Sequence, residues 1–292
     1  SITGGSGDDT LAGGDGDDTL DAGTGDESLS GGDGDDVLRF EIDALTSADT
    51  VAGGVGTDAI AFSTAGILVD ADLENVSTLE RLELADGAAA GGDENTVTLG
   101  IEAQAAGIVD VRGGNNDDRI DASSYTSGLA VSAGSGADAV TGGSGDDTLA
   151  GGDGADTLDA GTGSDLVDAG AGDDSVAMGG ALGAEDTLQG GSGDDTLTFT
   201  DNGLGTTELD NVSGFERIAL GDAATAVTTV NTLVASGATL VIDGSALTAS
   251  NALTWDGSAE SDGRFDITGG AGADSITGGS GDDTLAGGDG DD

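Results

Sequence analysis

From Gly4 the chain reads GGSGDDTLA, GGDGDDTLD, AGTGDESLS, GGDGDDVLR, and from Ala133 it reads AGSGADAVT, GGSGDDTLA, GGDGADTLD, AGTGSDLVD, AGAGDDSVA. This nine-residue beat constrains the fold more than any other feature. Each unit offers one aliphatic side chain, at its eighth place, and cannot bury it alone. Repeats of this kind bury their apolar positions by stacking copy on copy into a solenoid. Each unit reads as a glycine-rich turn of six residues followed by a three-residue strand. The predicted inward residues are Leu11, Leu20, Leu29 and Leu38 in the first block, and Val140, Leu149, Leu158, Val167 and Val176 in the second.

A longer period lies over the short one. SITGGSGDDTLAGGDG at residue 1 returns as AVTGGSGDDTLAGGDG at 139 and as SITGGSGDDTLAGGDG at 275, and NVSTLERLEL at 75 returns as NVSGFERIAL at 211. The starts are 138 and 136 residues apart, so the module is about 137 residues. The expectation is two modules and the opening turns of a third, taken from a longer tandem array. Residues 1–60, 133–198 and 268–292 form the nonapeptide blocks. Residues 61–132 and 199–267 lose the beat but keep short strands such as ERLEL, NTVTL, LVID, ALTW and RFDIT, each followed by turn residues. They read as wider coils of the same solenoid rather than separate sandwich domains, because no Pro/Ser-rich linker sets them apart.

Charge decides what such a chain needs. Asp and Glu number 58 against six arginines and no lysine, a net charge of -52. Like charges held together repel, so something cationic must accompany folding. Phosphate binding requires Lys and Arg clusters, which excludes nucleic acid as a partner, and an acidic membrane surface on the same ground. An acidic chain with 2% aromatic residues resembles a disordered one. The aliphatic residues recur at fixed places beside the acidic clusters, however, and suit a narrow core. Without Cys or His there are no disulfides, thiolates or imidazole bases, and nearly all zinc and copper chemistry is absent. No run approaches the roughly 18 apolar residues of a membrane span, so no membrane insertion is expected, and no charged-then-apolar leader stands at the start.

The repeated GGxGxDxUx, with U aliphatic, resembles the calcium-binding nonapeptide of the RTX family of secreted proteins, over about half of the chain. The resemblance implies an all-β right-handed parallel β-roll or β-helix with two nonapeptides per coil, so turns eighteen residues apart stack on one side. It implies multiple calcium ions between stacked turns, held by sixth-position aspartates and backbone carbonyls. Carried onto this sequence, those ligands are Asp9, Asp18 and Asp36; Asp58 and Asp118; Asp138, Asp147, Asp156, Asp165, Asp174, Asp186 and Asp195; and Asp274, Asp283 and Asp292. Asp138, Asp156 and Asp174 would share one side, with Asp147 and Asp165 on the other. Physical chemistry supports the assignment: calcium takes six to eight oxygens in flexible geometry, and stacked strands lie about 4.8 Å apart. Glycine is needed where the turn takes positive φ and shows its carbonyls.

Some units depart from the pattern. Glu27 replaces aspartate, and its longer arm is expected to disturb the site shared with the Asp9 turn. GGALGAED inserts two residues before Asp186, which should loosen the stacking there. GGVGTD at 53 and GGNNDD at 113 stand alone between irregular stretches. Acids at the third and fifth places, such as Asp8, Asp15 and Asp17, read as solvated charge.

Other signals carry less. Carboxylate pairs repeated at every turn do not suit a single glycosidase pair with split pKa values. The alternate acids and closing Glu of an EF-hand are missing, as is the lysine of a P-loop. Asn75 and Asn211, both in N-V-S, read as turn caps rather than glycosylation acceptors, and Arg81 and Arg217 as structural ion-pairing or carbonyl-capping groups. With no His or Lys to activate a hydroxyl, the fragment reads as non-catalytic. The expected function is a calcium-stapled structural repeat outside the cell, similar to bacterial surface-layer and giant adhesin proteins: a surface layer, filament or stalk. Type I secretion and folding outside the cell follow from the resemblance. The expected partner is a second copy of the chain, in a sheet or fibre, with cell-surface polysaccharide anchoring through regions outside this fragment. The rival reading is the export and folding module of a secreted lipase, protease or epimerase; adhesion to sugar or ice would need a flat face that the sequence does not reveal.

Overall fold

A computed structural model of the chain describes residues 1–86, 94–200 and 207–292. It divides into two compact units, Ser1–Gly152 and Asp153–Asp292. Both are β-solenoids built from parallel strands. In the first unit one sheet runs through Ile2–Ser6, Thr19–Thr24, Val37–Phe40, Ala59–Phe62, Arg81–Glu83, Asp110–Gly114 and Ala130–Ser135. Facing segments form Thr10–Asp15, Ser28–Asp33, Thr50–Val55 and Val76–Ser77, then Ile67–Leu68, Asn95–Thr98, Asp118–Asp121 and Ala139–Thr141. In the second unit the long sheet runs through Thr157–Asp159, Ser175–Gly179, Thr196–Phe199, Arg217–Leu220, Thr239–Asp243, Arg264–Thr268 and Thr284–Ala286. Leu166–Ala171, Thr187–Ser192 and Val212–Ser213, and then Thr225–Thr228, Leu253–Asp256 and Ser275–Thr277, complete it.

The register is the one the family resemblance implies. Ile2 pairs with Leu20 and Leu11 with Leu29, each partner eighteen residues on, so two nonapeptides make one coil. All nine predicted inward residues are buried. The strands are longer than predicted, however. Thr10–Asp15, Thr19–Thr24 and Ser28–Asp33 are six residues each and run on through the glycine pair. The first residue of the motif is a second inward position in several units, where Ala22, Ala133, Ala160 and Ala169 are fully buried. Space there is short: a Cβ on Gly31 would meet the Asp36 carboxylate and the Gly53 carbonyl.

The irregular stretches keep the same register with longer excursions between strands. Ile60 pairs with Leu82, Leu82 with Val111, and Val111 with Val131. In the second unit Ile218 pairs with Ile242, and Ile242 with Ile267. These wider coils hold six of the seven aromatic residues, Phe40 lying in the first nonapeptide block. All seven are buried, and Trp255 meets Phe265 edge to face with ring centroids 5.7 Å apart. One short helix, Ile101–Ala106, was not expected. Its first N–H groups are capped from far upstream, because Asp70 accepts from Gly100, Glu102 and Ala103 at 2.7, 3.1 and 2.9 Å. A cap some thirty residues away leaves no local signal in the sequence.

Candidate metal centre

The turns place the sixth-position carboxylates in columns. The backbone N–H of one such residue donates to the carboxylate of its counterpart in the following coil. Asp18 donates to Asp36 at 2.7 Å, Asp36 to Asp58 at 2.8 Å and Asp58 to Glu80 at 2.8 Å. On the opposite side Asp9 donates to Glu27 at 3.1 Å and Glu27 to Asp49 at 2.6 Å. Further on, Asp118 donates to Asp138 at 2.7 Å. In the second unit Asp156 donates to Asp174, Asp174 to Asp195 and Asp165 to Asp186, all at 2.8 Å, and Asp195 to Glu216 at 2.9 Å. Asp274 donates to Asp292 at 2.9 Å. Asp147 and Asp283 receive the N–H of Leu129 and Phe265, each at 2.8 Å.

Several expectations change here. Glu27 does not disturb its column: it is 3% exposed and takes the place of an aspartate. Asp58 and Asp118, in the isolated turns, are buried members of the columns. The insertion before Asp186 shifts the strand register between Ala177 and Gly179, yet Asp186 keeps its place in the column, because the extra residues fold into two tight turns, Ala181 N–H on Met178 and Asp186 N–H on Gly183. Glu80, Glu216 and Asp49 were missed. The first two follow Asp58 and Asp195 by 22 and 21 residues, and both stand at the sixth place of the repeated NVS-containing segment, which is the signal that would have found them.

The fifth-position acids are not merely solvated. Asp8 accepts the N–H of Asp26 at 3.1 Å, Asp17 that of Asp35 at 3.0 Å, and Asp173 that of Asp194 at 2.9 Å. These bonds run from the later coil to the earlier, opposite in sense to the buried columns, so adjacent turns are laced in both directions. Asn75 and Asn211 cap turns as expected, donating to Ser47 and Ala184 at 2.8 and 3.0 Å. Arg81 pairs with Asp110 at 2.8 Å and with Glu83 at 3.6 Å, and Arg217 with Asp243.

The columns fit a hard cation. The second carboxylate oxygens of Asp9, Asp36, Asp58, Asp174 and Asp195 are buried and have no hydrogen-bond partner among the described residues. Those of Asp9, Asp36, Asp58 and Asp195 tuck against the first glycine of their own turn; the Asp195 oxygen lies 2.9 Å from where a Cβ on Gly190 would sit. A buried, unpaired carboxylate oxygen is expensive unless a cation reaches it. Above each turn the glycine backbone is stacked closely: a Cβ on Gly32, at φ +123°, would strike the carbonyl of Gly14, and one on Gly191, at +114°, that of Gly170. The donor set is therefore oxygen alone, carboxylate plus carbonyl, as calcium requires. No cluster of three or more acidic side chains suited to a metal occurs among the described residues. Backbone carbonyls must therefore supply most of the ligands.

Burial is the main cause that raises the carboxyl pKa values of Glu27, Asp58, Asp118, Asp147, Asp174 and Asp195. Donated backbone N–H groups oppose it, and for Asp58 and Asp195 the carboxylates above and below in the column add to it. Without metal, the folded chain thus holds protons more tightly than the unfolded chain. The stability this contributes is fully present below the unfolded carboxylate range and is lost as pH rises through the folded values. Circular dichroism of the calcium-stripped chain should therefore show β structure growing as pH falls from 7 toward about 4. A flat or opposite profile would contradict the burial of these groups.

Comparison with known proteins agrees with the geometry. The family model for the RTX calcium-binding nonapeptide repeat (4 copies) matches residues 3–38, 132–166, 141–176, 182–198 and 266–292. A search among curated proteins finds no match. The matches fall on the nonapeptide blocks, and the columns extend past them to Asp58 and Asp118. The stacked turns of these blocks are RTX calcium-binding nonapeptide repeats, by family match and by geometry alike.

Proposed function

We propose that this chain is a calcium-stapled building module of an extracellular structure, a surface layer, filament or adhesin stalk, which folds and assembles when it meets calcium outside the cell. In this reading the ions lie between stacked turns and bind the free carboxylate oxygens of the columns with the turn carbonyls. The observation that carries it is the set of buried carboxylate oxygens stacked coil on coil with few cations of the chain's own to meet them. Such a chain has no means of neutralising its columns where calcium is scarce, and gains one where calcium is plentiful. No helix of the described residues is long and apolar enough to cross a membrane. The tandem modules and the want of a His, Cys or Lys nucleophile or base favour building material over chemistry.

Negative-stain electron microscopy of the purified chain in millimolar calcium, with and without EGTA, tests this function. Sheets or fibres that dissolve with chelator are expected. Isolated short particles in calcium would count against self-assembly and favour a spacer, or the folding module of a secreted enzyme.

A further inference from the structure

The octapeptide GGSGDDTL occurs four times, at residues 4–11, 142–149, 190–197 and 278–285. The copies do not fold alike, and each unit holds one of each kind. At 4–11 and 190–197 the strand runs on through the glycine pair, and the glycines at the second and fourth places have positive φ: +110° and +99° at Gly5 and Gly7, +114° and +147° at Gly191 and Gly193. The second carboxylate oxygens of Asp9 and Asp195 are left without a hydrogen bond. At 142–149 and 278–285 the preceding strand stops at Thr141 or Thr277, and no glycine of the turn takes positive φ. There the aspartate folds back onto its own turn. Asp147 accepts the N–H of Gly143 and Asp283 that of Gly279, both at 2.8 Å. The GGAGAD turn at 269–274 is closed in the same way, with Asp274 on the Gly270 N–H at 2.8 Å.

Since the sequence is the same, the neighbouring coil must choose the form. Open turns lie against turns with glycine in register, Gly5 beside Gly23 and Gly191 beside Gly170. Closed turns lie against an irregular coil on their preceding side, even where an open glycine turn follows, as Gly288 follows Gly270: Ser144 donates to the Tyr125 carbonyl at 3.0 Å, Ser280 to that of Glu260 at 2.9 Å, and Ala271 to that of Leu247 at 3.0 Å. An open turn needs a glycine column beside it, because its carbonyls pack where a Cβ would stand. Tyr125, Glu260 and Leu247 cannot supply one.

We infer that the RTX turns of this chain form two classes, calcium-ligating open turns and ion-free closed turns, so that Asp147, Asp274 and Asp283 cap their own turns instead of holding calcium. A carboxylate oxygen that already accepts an N–H presents that proton to an approaching cation. To ligate, the turn would have to break this bond, rewind two glycines and give up its hydrogen bond to the irregular coil. Closed turns are the seams where a nonapeptide block meets an irregular coil. The inference rests on the proposed ligand role of the sixth-position aspartates, and it refines which of them serve.

The test is a count of bound calcium at saturating free calcium in the full chain and four variants, Asp9→Asn, Asp195→Asn, Asp147→Asn and Asp283→Asn, each checked for fold by circular dichroism. Asparagine keeps one carbonyl acceptor for the cap. Asp9→Asn and Asp195→Asn are expected to bind at least one ion fewer than the unmodified chain, while Asp147→Asn and Asp283→Asn bind as many. Loss of an ion from either of the latter pair would overturn the two classes while leaving the ligand role intact. If Asp9→Asn and Asp195→Asn also bind the full number, the ligand role itself fails and the inference with it. Amide exchange in the unmodified, calcium-loaded chain gives a reading free of mutation. Gly143 and Gly279 should exchange slowly, and fast exchange at either would mean that calcium has released the cap and would overturn the inference.

Discussion

Stripping calcium from the folded chain should abolish the β signal in far-UV circular dichroism and leave a coil spectrum. The expectation follows from magnitudes. A domain is stable by about 5–15 kcal/mol, and a ligand that binds only the folded state at 100 times its dissociation constant adds about 2.7 kcal/mol per site. A handful of sites therefore exceeds the whole stability of an ordinary domain. Against them stands a net charge of -52, with carboxylates buried one above another. The six arginines cannot offset this. Arg81 and Arg112 both serve Asp110, and Arg217 serves Asp243, all outside the columns. A β spectrum that persists unchanged in EGTA would show that the columns are stable without metal, and would remove calcium from the folding mechanism.

Cutting a column at Asp36 should have the largest effect of any single substitution at the turns. Asp36 is 1% exposed and is tied on both sides: its carboxylate accepts the Asp18 N–H and its own N–H donates to Asp58. Asp36→Ala orphans the N–H of Asp18, at a cost of about 1–3 kcal/mol. It also removes the oxygen proposed to bind metal, at about 2.7 kcal/mol for a site held at 100 times its dissociation constant. Together these should raise the calcium concentration needed for half-folding severalfold, read by circular dichroism across a calcium titration. Asp15→Ala is the control. Asp15 is an exposed aspartate in the same turn as Asp18, and its loss should change stability by less than about 0.5 kcal/mol. Equal effects of the two substitutions would mean that net charge, and not the column, governs calcium dependence.

The parts of this design that were legible from residues alone are those that repeat. Leu20 and Leu158 announce the core because their places recur every nine residues, and Asp36 and Asp174 announce the columns for the same reason. Glu80 and Glu216 were hidden because they join the columns after longer excursions, where no beat counts the coils. Asp49 was hidden for the same reason: it lies 22 residues beyond Glu27, with Thr46 donating to its second oxygen at 2.8 Å. The helix at Ile101–Ala106 escaped because Asp70 caps it from some thirty residues upstream, with strands in between.

By itself, the sequence determined the nine-residue period, the inward aliphatic positions, the excess of acid and hence the demand for a cation. Each of these depends only on spacing along the chain and on the chemistry of one residue type. Only the tertiary structure decided which turns are open. Four identical octapeptides fold in two ways because a glycine reaches positive φ only where the coil beside it leaves room for its carbonyl, and that neighbour lies about eighteen or more residues away. Local sequence set the range of conformations open to each turn, and packing between coils selected one of them.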